Sequence, residues 1–151
     1  MVEVTQALAF MEQQYAQFVA LAHDGRTPYR WQFRLMRYVA QEGRWPDRIS
    51  VPTASGKTSV IDIHVFLNAM VGLAEGESRK EHEILSCLPL RRIPRRLALT
   101  VNRRSLVDDQ FDEADELCGK IHTSDSMIHY KEGLKLRAGA VSYTHLRAHE
   151  T

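Results

Sequence analysis

Val51-Pro52-Thr53-Ala54-Ser55-Gly56-Lys57-Thr58 is the stretch that decides how the rest of the chain is read. Ahead of it, Arg48-Ile49-Ser50-Val51 is short and apolar enough to read as a strand. Behind it, the apolar-periodic run from Thr58 to Met70 reads as a helix. Strand, tight loop and helix start is the setting in which Gly-Lys-Thr binds phosphate. Loop N–H groups and the positive end of the helix dipole would face the phosphate oxygens. Gly56 keeps side-chain bulk out where backbone and phosphate approach closely. Lys57 would reach the β- and γ-phosphates, and the Thr58 hydroxyl would sit on Mg²⁺. The expected cofactors are therefore a nucleoside triphosphate and Mg²⁺, held by Thr53, Ala54, Ser55, Gly56, Lys57 and Thr58, with Lys57 and Thr58 the catalytic pair. The plain alternative is a strand-to-helix turn that happens to contain Ser-Gly-Lys-Thr.

Upstream, Ala7, Leu8, Met11, Tyr15, Phe18, Val19 and Ala22 make one apolar stripe on a helix over residues 2–23, which Asp24-Gly25 stops. A second helix opens in Thr27-Pro28-Tyr29-Arg30-Trp31-Gln32-Phe33 and runs to about Gln41, with Trp31, Leu35, Tyr38 and Val39 on its apolar face. Glu42 to Asp47 is a turn by its Gly and Pro. Downstream, residues 72–83 are polar and charged and read as an exposed connection. Arg91, Arg92, Arg95 and Arg96 surround Ile93-Pro94. They read either as a nucleic-acid-facing patch or as a solvated edge. The second is preferred because the stretch lacks aromatics that would stack on bases. Leu97-Ala98-Leu99-Thr100-Val101 reads as a buried parallel strand. Ser105 caps a following helix that reaches Ile121 with acids on one side and Leu106, Val107, Phe111, Ala114, Leu117 and Cys118 on the other. Two strands joined by a helical crossover predict an α/β fold with parallel strands and flanking helices, preceded by N-terminal helices.

The chain has 151 residues, one domain's worth, with 44% hydrophobic and 26% charged residues and a net charge of +1. That balance excludes a globally basic nucleic-acid binder and leaves only local clusters for that role. No apolar run approaches the ~20 residues that span a bilayer. With no basic leader at its start, the chain is expected to be cytoplasmic. Cys87 and Cys118 lack metal-ligand spacing and read as free thiols. His64 reads as a helix-surface or core-edge residue rather than a ligand.

The Pro-Thr-x-Ser-Gly-Lys-Thr core, with Val51 where the general pattern has glycine, resembles the first motif of superfamily 2 helicases and translocases, although Ala54 stands where they usually carry glycine. Pro28, Tyr29 and Gln32 resemble the element that in those proteins reads adenine, the glutamine amide offering a donor and an acceptor and Tyr29 or Trp31 a stacking ring. Arg103-Arg104-Ser105-Leu106-Val107-Asp108 is similar to a motif of CRISPR-associated type I helicase-nucleases. The likeness spans residues 27–121. It implies part of a RecA-like ATP-binding domain, with Arg103, Arg104 and Ser105 on the phosphates of single-stranded DNA. The alternative for Arg103 and Arg104 is pairing with the acidic helix that follows them. The parent would be an ATP-hydrolysing DNA helicase of a CRISPR antiviral defence system, feeding a nuclease domain and partnered by a CRISPR effector complex. Another phosphate-loop NTPase, of AAA or kinase type, or a non-catalytic remnant is the alternative.

The acidic segment that would orient the attacking water in such a motor is missing; Asp115-Glu116 lie mid-helix. Residues 141–151 resemble a translated sequencing-adapter tail. The chain therefore divides into N-terminal helices with the adenine-like segment (1–45), the first part of the ATP-binding domain (46–121), an uninformative continuation (122–140) and the tail. It is expected to be a truncated fragment, inactive by itself and poorly stable because its sheet would keep unpaired edges.

Overall fold

A computed structural model describes residues 3–50, 60–76, 79–98 and 104–137, and gives the backbone alone for residues 79–81 and 104–109. Six α-helices form in order: α1 (Val4–Ala22), α2 (Arg30–Glu42), α3 (Val60–Glu75), α4 (Arg79–Leu85), α5 (Arg104–Thr123) and α6 (Ile128–Leu136).

The stripe expected on the first helix is the face that α1 buries: Ala7, Leu8, Met11, Tyr15, Phe18, Val19 and Ala22. α2 buries Gln32, Leu35, Met36, Val39 and Ala40, and its first turn is closed by Gln32, whose Oε1 accepts the Tyr29 N–H at 2.9 Å. α3 is of another kind. Every residue from Ile61 to Leu73 is buried, so the helix is covered on all sides. It is the axis of the molecule, with α6 packed most extensively along it and α1, α2 and α4 around the rest. At the α1–α3–α6 junction the Tyr15 ring lies 5.2 Å from Phe66, Phe18 lies 5.6 Å from Phe66 and 5.1 Å from Tyr130, and Tyr130 donates its hydroxyl to Gln14 O at 3.1 Å.

The segment after a short 3₁₀ turn at Leu90–Arg92 is strapped to this core by polar contacts. Asn68 Nδ2 donates to Pro94 O at 3.2 Å, His64 Nε2 donates to Arg95 O at 3.1 Å, and the buried Arg137 donates Nη2 to Ile93 O at 2.6 Å.

These helices correct the α/β expectation, because the described residues contain no strand. Residues 48–50 are exposed and outside any element; Leu97 is half-buried and Ala98 exposed, also outside any element. Val51 and residues 99–101 lie outside the described residues. The physical reason sits in α3. A crossover helix of a parallel sheet turns one face to the strands, whereas α3 gives all its faces to other helices and leaves none for a sheet. The RecA-like assignment, and with it the recognition of a superfamily 2 or CRISPR-associated helicase fragment, falls with the sheet. The poor stability expected from unpaired sheet edges loses its premise too. No helix among the described residues is long and apolar enough to cross a membrane.

Candidate functional site

Where α1 ends, α2 begins and α3 starts, the chain leaves a cleft of about 430 Å³, closed on its far side by α5. α1 supplies Tyr15, Val19 and Ala22, and the turn after it His23, Asp24, Arg26, Thr27 and Tyr29. α2 supplies Gln32, α3 supplies Asp62, and α5 supplies Glu113, Glu116, Leu117 and Lys120. The size suits a ligand with the body of a nucleoside.

Asp62 is the organising charge. It lies in the first turn of α3, buried between Ile61 and Ile63, where a carboxylate suits the helix dipole. His23 Nε2 meets Asp62 Oδ2 at 2.7 Å. That hydrogen bond raises the His23 pKa above the usual histidine value of 6.5, against the opposing effect of burial. Lys120 draws α5 onto the end of α1. Its Nζ donates to Ala22 O at 2.6 Å and stands 3.8 Å from Asp24 and 4.0 Å from Glu116. Tyr15 is fully buried in the wall, and its hydroxyl has no hydrogen-bond partner. Burial, and then the Asp62 charge, push its pKa far above the usual tyrosine value, so it stays protonated. With four carboxylates against His23, Arg26 and Lys120, the lining favours neutral hydrogen-bonding ligands over phosphates.

The two residues expected to read adenine both line this cleft. Tyr29 is 56% exposed at its rim, and Gln32 is 4% exposed. Gln32 is thus a buried position rather than an ordinary surface position of an amphipathic helix. Its Oε1 is engaged by the start of α2, so pairing of both amide ends with a base requires that bond to open. Thr53, Ala54, Ser55, Gly56, Lys57 and Thr58 lie outside the described residues, as does Arg103. α3 begins at Val60, two residues beyond Thr58, and α5 begins at Arg104, so Arg104 and Ser105 open a helix. His64 is buried, its pKa lowered mainly by that burial. Cys87 and Cys118 are free thiols, exposed and half-buried. Among the described residues no group of His, Cys, Asp and Glu is placed to hold a metal ion.

Sequence reasoning missed His23, Asp62 and Lys120, and saw Tyr15 only as a stripe residue. One signal was present: a carboxylate between two isoleucines at the start of an apolar helix will be buried and needs a partner. No protein-family model, no curated protein and no solved structure matches this chain.

Proposed function

We propose that this chain binds a nucleoside triphosphate with Mg²⁺, the phosphates on residues 53–58 and the base in the cleft beside Tyr29 and Gln32. One observation carries the reading. The cleft that holds the two base-reading candidates is also lined by Asp62, in the first turn of the helix that Gly56-Lys57-Thr58 leads into. The residues that would hold the base thus line a cleft at the start of α3, the helix that the Gly-Lys-Thr sequence precedes. The acidic lining supports the same division, since it suits a neutral base better than it suits phosphates. Lys57 would neutralise the β- and γ-phosphates, and the Thr58 hydroxyl would be a ligand of the bound Mg²⁺. Binding alone is proposed.

The test is titration of a fluorescent ATP analogue with Mg²⁺ against the wild type and Lys57→Ala. The variant is expected to lose roughly 10- to 100-fold in affinity, as removal of a charge-assisted phosphate contact does. Tyr29→Ala is expected to weaken ATP while leaving tripolyphosphate unchanged. Wild-type affinity in Lys57→Ala would mean that the Gly-Lys-Thr sequence is an ordinary turn.

A further inference from the structure

The four arginines around Ile93-Pro94 do not stand alone in the folded chain. The turn that ends α2 lies against them. A Cβ placed on Gly43 would come within 2.8 Å of Pro89 O and 3.0 Å of Arg92 Cβ, so the two backbones touch there. Arg44 and Trp45 follow directly. The half-buried Trp45 ring is centred 6.5 Å from the His64 ring, whose Nε2 holds Arg95 O at 3.1 Å. An aromatic ring is thus built into the arginine cluster by a different segment, which answers the sequence-based objection that the stretch has none.

We propose that Arg44, Arg92, Arg95 and Arg96, with Trp45 among them, form a binding surface for single-stranded nucleic acid. It is independent of the nucleotide reading and of Arg103 and Arg104. All four arginines are exposed, and no carboxylate among the described residues pairs with them. Acids nearby include Glu42 and Asp47, exposed on either side of the same turn and pairing with none of the four, and Glu75, which stands 3.5 Å from Arg91 and so occupies the fifth arginine of the cluster. In a chain of net charge +1, these arginines gather on one side while Asp112, Glu113, Asp115 and Glu116 are exposed on α5, so this surface is locally positive. Guanidinium groups match phosphate oxygens bidentately. The polar straps from Asn68, His64 and Arg137 fix the 93–95 backbone, so the arginines project from a held segment rather than a loose one. Phosphates spaced along a strand fit several separated arginines, and an intervening ring gives a base somewhere to stack. An acidic polypeptide would use the charges and not the ring.

The experiment is fluorescence anisotropy with labelled oligo-dT and oligo-rU of equal length over a salt series, on the full chain. Each phosphate contacted is expected to contribute a slope of about −0.7 in log affinity against log salt. Arg92→Ala/Arg95→Ala/Arg96→Ala, with all three side chains on the surface, is expected to make the slope shallower by about 2 units and weaken binding roughly 10- to 100-fold at low salt. Trp45→Leu, checked for an unchanged helical spectrum, is expected to weaken binding roughly 10-fold with the slope retained. Better binding of one oligomer identifies DNA or RNA as the preferred strand, and equal binding makes the surface indifferent to the sugar. Wild-type affinity and slope in the triple arginine variant would overturn the proposal. So would polyglutamate competing as well as the oligomers while Trp45→Leu changes nothing, which would assign the surface to an acidic protein.

Discussion

His23 and Asp62 are 39 residues apart, and the 2.7 Å contact between them ties the end of α1 to the start of α3. Because His23 has a raised pKa in the folded chain, the pair stabilises most where the imidazole is charged. The contribution is fully present below the unfolded value of 6.5 and fades as pH rises through the higher folded value. His64 works in the other direction. Its folded pKa is lowered by burial, so stability is lost as pH falls below 6.5 and the unfolded chain takes up a proton that the folded chain refuses. Asp62→Asn separates the two, since it keeps the shape and removes the charge that His23 feels. The difference in unfolding free energy between wild type and Asp62→Asn, from urea titrations, is expected to be about 1 kcal/mol larger at acidic than at alkaline pH, the solvent reaching His23 having screened part of it. A difference that grows with pH would show that the pair does not hold His23 protonated. Nothing in the sequence marks this pairing: a histidine beside a helix stop and an acid in an apolar helix are legible singly, and only the fold makes them partners.

At the scale of elements, the crossing of α3 and α6 rests on two glycines. A Cβ on Gly133 would stand 2.2 Å from Ala69 O, and one on Gly72 would overlap the Gly133 carbonyl. Neither neighbour is a side-chain tip that can swing away. Helix propensity alone says that Gly133→Ala should stabilise by about 1 kcal/mol, but overpacking against backbone costs about 1–3 kcal/mol or more. With the clash this deep, overpacking decides, and a net loss of about 2 kcal/mol is expected in chemical denaturation. Gly119→Ala is the matched control. No atom lies within 4 Å of its added Cβ, and Gly119 sits on the exposed side of α5, so a gain of about 0.5–1 kcal/mol is expected. If both substitutions moved stability the same way, the close crossing would be refuted. Much of the helical content was legible: α1 and α2 lie where their stripes placed them and α5 differs from its expected span by a few residues, but α3 runs on to Glu75 with Gly72 and Leu73 buried, and α4 forms, in the stretch read as an exposed connection. α6 was not, because only Tyr130 and Leu134 give it buried apolar side chains and the rest of its contact with α3 runs through Gly133, which hydrophobic periodicity does not register. The expected strands failed for a related reason. Leu97 and Ala98 are apolar, but an apolar run becomes a strand only when another strand pairs with it, and composition does not supply the partner.

At the scale of the whole molecule, the error over fold class came from reading α3 as the crossover helix of a parallel sheet. The run from Ile61 to Leu73 contains apolar residues on every side, and its polar members, Asp62, His64 and Asn68, are buried with partners on other elements. A helix of that kind is a core helix, and the elements around it share one interior rather than forming separate halves. The aromatic rings of α1, α3 and α6 meet on Phe66, and one continuous cluster of buried side chains runs from Ala7 to Leu134. The far-UV dichroism of the chain should therefore be that of a helical protein. Loss of helix and loss of tryptophan burial should coincide in one thermal transition, because Trp31 on α2 and Trp45 in the turn after it both pack against that same cluster. Phe66→Ala is expected to lower stability by about 3–5 kcal/mol while keeping the two probes coincident. Two separated transitions, with α1 and α2 leaving before the rest, would show that α3 does not bind the elements into one cooperative unit.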